Sequence, residues 1–269
     1  MLGDITIGQF YPADSVIHRL DPRTKLFATF LYLISLFLFQ NLAGFLLATA
    51  FLVMIIALSR VPFRYMVKGL RAIFAILLLT ALFNLFLTPG ETLVSVSFLK
   101  ITKEGLKNAV QMAIRLIYLI LGTSVITLTT TPNALTDGME KALRPLTKLH
   151  IPVHEIAMMM SIALRFIPIL MEETEKIQKA QIARGADFES GGLIRKAKNM
   201  VPLLVPLFIS AFRRANDLAM AMEARCYHGG EGRTKMKPLR YHRRDAYTYI
   251  VVLIYFAGMI LTRILGQGV

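Results

Sequence analysis

The sequence predicts an all-α integral membrane protein with about five transmembrane helices and a cytoplasmic platform of amphipathic helices. Three observations predict it. Hydrophobic residues make up 55% of the 269-residue chain and mean hydropathy is +0.56, whereas a soluble domain has roughly 45–50% apolar residues. The apolar residues gather in long runs, with the charges between them. One long segment before the last run is amphipathic instead, the pattern of a helix with one wet and one dry side.

Lys and Arg exceed Asp and Glu by 31 to 17, a formal net charge of +14. Their position favours a membrane surface over nucleic acid. They flank or separate the apolar runs, as the positive-inside bias requires, and do not alternate with aromatic stacking residues. The lone cysteine, Cys226, excludes an intrachain disulfide and a cysteine-pair zinc site. The first apolar run has no small-residue cleavage site after it, so it is expected to be retained and not removed as a signal peptide.

A bilayer-crossing helix needs about 20 mainly apolar residues, with a range of roughly 17–25. Leu26 to Phe39 and Leu42 to Leu58 read as a hairpin turning at Gln40-Asn41. Ala72 to Leu87 is the third span, closed by Thr88-Pro89-Gly90, Leu106 to Leu128 the fourth, and Ala246 to Leu265 the last. Asp21 and Pro22 form the cap and first position of the first helix. The preceding Gly3 to Leu20 reads as an irregular surface arm. Arg19, Arg23 and Lys25 precede the first span, and Arg60, Arg64, Lys68 and Arg71 separate the second from the third. Both flanks are expected to face the cytoplasm, with the N-terminus and the segment from Thr129 to Asp245 on that side. That segment holds 19 Lys or Arg against 12 Asp or Glu, a net of +7. The expected organisation is therefore residues 1–128 as arm and four spans, 129–245 as the cytoplasmic region, and 246–269 as the final span.

Within the cytoplasmic region three helices are predicted. The first opens at Thr131-Pro132 and runs to about Arg144-Pro145. The second runs from about Val153 to Arg184, with Glu172–Lys176 and Glu175–Lys179 at the spacing of exposed ion pairs. The third runs from about Leu193 to Tyr227, with Val201, Leu204, Phe208, Ala211, Ala215, Leu218 and Met222 on one stripe and kinks expected at Pro202 and Pro206. The apolar stretches Ile156 to Met171 and Met200 to Phe212 are set aside as spans because they are short and carry Arg165 and prolines.

An Ala-Arg pair recurs at two successive helix exits: Ala183-Arg184-Gly185 and Ala224-Arg225-Cys226. Arginine in a last turn is ordinary on helix-dipole grounds, and glycine beyond it is a common cap. Glu223 and Asp187 lie near enough in sequence to pair with these arginines. The recurrence points further: a small alanine lets a helix tip approach another surface, and arginine offers a rigid five-donor fork.

These features together resemble the transmembrane T component of energy-coupling factor transporters, the EcfT and CbiQ family. The resemblance covers nearly the whole chain. It is carried by Ser15-Val16-Ile17-His18-Arg19-Leu20-Asp21-Pro22-Arg23-Thr24-Lys25, the Thr131-Pro132 opening, Leu164-Arg165-Phe166-Ile167-Pro168 and the two Ala-Arg tips. It implies coupling helices whose arginines enter grooves of two ATP-binding-cassette ATPase subunits. That role falls on Ala183, Arg184 and Gly185, and on Ala224, Arg225 and Cys226, the second triplet lacking the glycine. It also implies a membrane-embedded, substrate-binding S component, with the whole importing vitamins or metal ions across a prokaryotic cell membrane. Nine of the 14 methionines lie in the cytoplasmic region. Met158, Met159, Met160, Met220 and Met222 offer an adaptable surface for the S component or, equally, packing within the helix core.

Two rival classes fit the sequence less well. A self-sufficient carrier or channel would give Arg115, within the fourth span, a functional role. However, Arg115 is read as lying near the outer end of its span, where it can snorkel, and no span contains an acidic residue. A membrane enzyme would use His150 and His154, but Pro152 separates them and no third metal ligand is evident. There is no Gly-x-x-x-x-Gly-Lys phosphate loop, so ATP hydrolysis is expected in partner subunits. No catalytic residue, cofactor, metal or nucleic-acid site is expected in this chain, and Gly229, Gly230 and Gly232 read as a connector.

Overall fold

The computed structural model describes residues 10–38, 41–89, 91–96, 99–188, 192–229, 236 and 238–266. The predicted corner at Gln40, the Gly90 closure and the glycines at 230 and 232 lie outside them. The chain divides into two compact units. One holds residues 140–238, and the other the described residues before and after that stretch.

The larger unit contains α1 (Pro22–Leu38), α2 (Leu42–Ser59), α3 (Phe63–Leu87), β1 (Thr92–Val96), β2 (Leu99–Thr102), α4 (Lys103–Thr129), the first part of α5 (Pro132–Leu143) and α8 (Arg243–Gly266). α1 starts at Pro22 as predicted, and the Asp21 carboxylate accepts the Arg23 amide at 2.9 Å, the N-cap bond that satisfies one orphan donor. Thr131 Oγ1 likewise accepts the Ala134 amide at 3.3 Å at the start of α5. α3 begins nine residues before the expected Ala72, taking in the basic flank, and bends by 57° between Phe63–Leu70 and Ile73–Leu87. After it β1 and β2 pair antiparallel, in a segment for which the sequence analysis predicts no element. Thr102 then caps α4 by accepting the Gly105 amide.

α1 packs against α4 and α8, α2 against the same two helices, and α3 along α4. Their shared core contains Leu36, Phe51, Leu52, Leu121, Val125, Val252 and Met259, with Tyr32, Tyr118 and Tyr255 among them. Each tyrosine hydroxyl has a partner, as buried polar groups require. Tyr32 donates to the Tyr118 carbonyl at 3.1 Å, Tyr118 shares a 2.6 Å bond with Thr49, and Tyr255 shares a 2.8 Å bond with Ser35. Gly122 is required here, since a Cβ at that position would lie 2.2 Å from Tyr32 Cε1. The outer faces carry exposed Phe30, Leu46, Val53, Phe74, Leu78 and Ile254, an arrangement suited to lipid as solvent.

The described part of the arm before α1, residues 10–20, is irregular and lies mostly at the surface, as the sequence predicts, but it is also pinned to the bundle. The Tyr11 amide donates to the Leu128 carbonyl at 2.9 Å, and Ser15 is buried. His18 shares a 2.7 Å bond with Ser15 and a 3.0 Å bond with the Tyr11 carbonyl. These non-local bonds leave no periodic trace in sequence.

The smaller unit contains the last residues of α5, a 3₁₀ turn (Arg144–Leu149), α6 (Val153–Ala183) and α7 (Leu193–Glu223). α7 runs through Pro202 and Pro206 as one helix. α6 and α7 pack in opposite directions: Gln181 donates to the Pro202 carbonyl at 3.2 Å, while eight residues earlier Glu173 pairs with Arg214 at 3.3 Å. The expected pairs Glu172–Lys176 and Glu175–Lys179 are absent among the described ion pairs. An acid on the facing side of α6 meets the partner helix instead.

α2, α4, α6 and α8 are each long and apolar enough to cross a bilayer, and the bent α3 makes a fifth if it counts as one span. α1, with 17 residues, sits at the lower edge of the spanning range of roughly 17–25. The shortness argument against α6 is corrected: the folded helix has 31 residues and a mean hydropathy of 1.6 over its most apolar window. Length and composition therefore do not set α6 apart from the spans. Its distinguishing marks are Arg165 and Pro168.

Candidate functional site

The two Ala-Arg tips end their helices in the same way. At the first, Arg184 follows the last helical residue, Ala183, and Gly185 takes the left-handed conformation at φ 87°. The Ala186 amide reaches back to the Gln181 carbonyl and the Gly185 amide to the Ile182 carbonyl, both at 2.9 Å. This is the Schellman pattern. At the second, Cys226 takes the left-handed conformation at φ 55°. The Tyr227 amide bonds the Met222 carbonyl at 3.1 Å and the Cys226 amide the Glu223 carbonyl at 2.8 Å. The missing glycine therefore leaves the termination unchanged, although a side chain in this conformation costs about 1–2 kcal/mol.

Ala183, Arg184, Gly185, Ala224, Arg225 and Cys226 are all exposed. Among the described residues neither arginine forms an ion pair, so the pairing with Asp187 or Glu223 that the sequence allowed is not made. Because α6 and α7 run in opposite directions, the tips lie at opposite ends of the pair. Gln181 abuts Pro202, and from Pro202 to Arg225 the helix rises about 34 Å. The forks are thus separated by a distance on the order of 30 Å.

The apolar stripe of α7 is largely uncovered. Val201, Leu204 and Phe208 are exposed, as are Val205 and Phe212 beside them, whereas Leu203 is buried. Of the five candidate methionines, Met159, Met160 and Met220 are exposed and Met158 and Met222 half-buried. None of the five is fully buried. Within this unit, His154 shares a 3.0 Å bond with Glu140, and His150 ends the 3₁₀ turn in a left-handed conformation. In the larger unit, Arg115 lies over the Phe37 ring at 5.5 Å.

A second constellation, which sequence reasoning missed, ties the start of α8 to the start of α1. The Asp245 side chain is almost fully buried. One oxygen accepts the His242 amide at 2.8 Å and the other the Asp21 amide at 2.9 Å, so one carboxylate caps its own helix and also bonds the N-cap residue of another. Asp21 in turn bonds the Arg23 guanidinium through both oxygens, at 3.0 and 2.9 Å, and that guanidinium lies 3.9 Å over the Tyr241 ring. Burial alone would raise the Asp21 pKa, but the hydrogen bonds and charge of Arg23 outweigh it and hold the carboxyl below its ordinary 3.8. Lys25 is buried as well, donating to the Thr129 carbonyl at 2.8 Å, Thr130 Oγ1 at 3.2 Å and the His18 carbonyl at 3.3 Å. An acid at the third position of α8 signals a cap of its own helix. Its reach to Asp21, 224 residues away, has no local signature.

Comparison with known proteins agrees with this architecture. The profile of the CbiQ family, described as cobalt transport protein, matches residues 13–236. The chain is 54% identical over 266 residues to the energy-coupling factor transporter transmembrane protein EcfT of Clostridium kluyveri, covering 98% of both chains. It is 52% identical to the protein of the same name from Thermosediminibacter oceani, covering 97% of this chain and 98% of that one. The Bacillus subtilis protein of that name is 49% identical, with the same coverage. By these matches, which agree with its apolar helices, the chain belongs to the EcfT and CbiQ family of energy-coupling factor transporter transmembrane proteins.

Proposed function

We propose that this chain is the non-catalytic coupling subunit of an ATP-driven importer. It links two ATP-binding-cassette ATPase subunits to a membrane-embedded S component that binds a vitamin or a metal ion. The observation that carries this reading is the pair of exposed arginine forks ending α6 and α7, without an ion pair among the described residues, built alike and on the order of 30 Å apart. Such spacing suits two separate acceptor subunits better than one groove. Arginine presents two parallel donors to carboxylate or carbonyl acceptors, and the Schellman turn beyond each one fixes its direction. The uncovered apolar stripe of α7 and the exposed Met159, Met160 and Met220 supply adaptable surface for the S component.

The basic flanks orient the chain, with the N-terminus, residues 129–245 and both arginine tips on the cytoplasmic side. ATP binding and hydrolysis belong to the partners, since the chain has no phosphate loop. Substrate choice belongs to the S component. The test is the double replacement Arg184→Ala and Arg225→Ala, followed by affinity purification in mild detergent. The variant should still insert, while losing both ATPases or uncoupling hydrolysis from uptake. Retention of both with full transport would defeat the assignment.

One observation favours a second reading, in which α6 is itself a span, because its length and apolar content suffice. Arg184 and Arg225 would then fall on opposite sides of the bilayer. A cysteine placed at Arg184 in a Cys226→Ser background, probed with a membrane-impermeant thiol reagent from each side, separates the two. The carrier alternative requires transport by the purified chain alone.

A further inference from the structure

The start of α2 packs against the end of α8. Asn41 donates to the Thr262 carbonyl at 3.3 Å, Gly258 is so close to Leu47 that an added Cβ would lie 3.1 Å from it, and the Phe51 and Tyr255 rings stack at 3.8 Å. Beyond that stack, residues of both helices line an apolar cavity of about 310 Å³. Its floor is buried Tyr32, Val125 and Val252, and the Val16–Leu20 part of the arm closes its end. Met54 and Leu58 of α2 and Tyr247 and Val251 of α8 line it too, and all four are exposed. The cavity is therefore partly open, with exposed residues of two membrane helices in its lining.

Two cations line it. Lys25 has its three donors engaged by His18, Thr129 and Thr130. Arg244 is exposed and forms no ion pair among the described residues. It sits at the end of the bundle where Arg19, Arg23, Arg60, Arg64, Arg240 and Arg243 also cluster in sequence beside helix termini. An apolar slot reached from the bilayer, with a guanidinium at its headgroup end, matches an acyl chain joined to a phosphate. We propose that this groove holds one acyl chain of an anionic phospholipid, with its phosphate on Arg244. The occupant would complete the packing of the first, second and last helices where the protein itself leaves a cavity.

The test uses the full chain in nanodiscs doped with phosphatidylglycerol carrying a photoactivatable diazirine on one acyl chain, with labelled residues mapped by mass spectrometry. Val53, exposed and adjacent to Met54, reports ordinary annular lipid. Met54 and Val251 should label more strongly than Val53, and unlabelled phosphatidylglycerol should remove that excess while phosphatidylcholine does not. Arg244→Ala should reduce the preference for the anionic lipid about fivefold. Val251→Trp, which fills the groove, should bring Met54 down to the Val53 level. Equal labelling of Met54 and Val53 in the native chain overturns the proposal, as does a lipid preference indifferent to Arg244. Labelling of Met54 that excess unlabelled phosphatidylglycerol does not reduce would also overturn it.

Discussion

Gly185 and Cys226 occupy the same position in two copies of one helix terminus, both in the left-handed conformation and each followed by an amide that reaches back five residues. Only one of them is the residue that this conformation favours. Glycine adopts it freely, whereas cysteine does so against the clash of its Cβ with the carbonyl. Each Schellman turn holds the arginine before it, and the second does so under strain.

Cys226→Gly should therefore stabilise the second tip by about 1 kcal/mol, and Gly185→Val should weaken the first by about 1–2 kcal/mol. Hydrogen exchange at the Cys226 and Tyr227 amides, and at Gly185 and Ala186, measures both. Faster exchange at Tyr227 in the glycine variant would contradict the account.

Separation of the forks makes the single arginine variants informative. Arg184→Ala and Arg225→Ala should each weaken one ATPase contact, leaving complexes depleted in one subunit, and lysine should restore little because it lacks the planar fork. Subunit stoichiometry by native mass spectrometry reads this directly. Full rescue by Arg184→Lys would point to simple charge attraction.

Cys226 is exposed and is the chain's single cysteine, which makes it a native reporter next to Arg225. A membrane-impermeant maleimide should reach it in inside-out vesicles of the isolated chain and not in right-side-out cells. Bound ATPases should protect it at least tenfold if the tip is buried in a groove, since a 1.4 kcal/mol bias already gives about that factor.

Asp245 satisfies two N-terminal amides on different helices. Asp245→Ala should cost roughly 2–4 kcal/mol, from two charge-assisted bonds lost. Asp245→Asn should cost less, because its one amide oxygen can still accept. Thermal aggregation followed by size-exclusion chromatography gives the order. A neutral Asp245→Ala would mean that the clamp contributes nothing.

The arm carries a pH dependence of known sign. Burial is the chief cause lowering the His18 pKa from its ordinary 6.5, so the folded arm binds fewer protons than the unfolded one. Its stability contribution is complete above 6.5 and is lost as pH falls from there towards the depressed folded value. Limited proteolysis between Tyr11 and Arg19 should accelerate below pH 6.5, and His18→Gln should flatten the profile.

Residue order was enough to locate the helices, because lipid burial and amphipathic faces write their periods directly into it. α1, α5, α6 and α7 begin at the predicted Pro22, Pro132, Val153 and Leu193. Both arginine tips were legible for the same reason, since a helix exit is a local event of a few residues. Folding in three dimensions was needed to pin the arm at Leu128, to bring Asp245 to Asp21, to join Glu173 to Arg214 in place of the intrahelical pairs, and to line one apolar cavity from α2 and α8. Each of these joins residues far apart in the chain. Their energy comes from packing geometry and from partners satisfied across space, which no window of sequence contains.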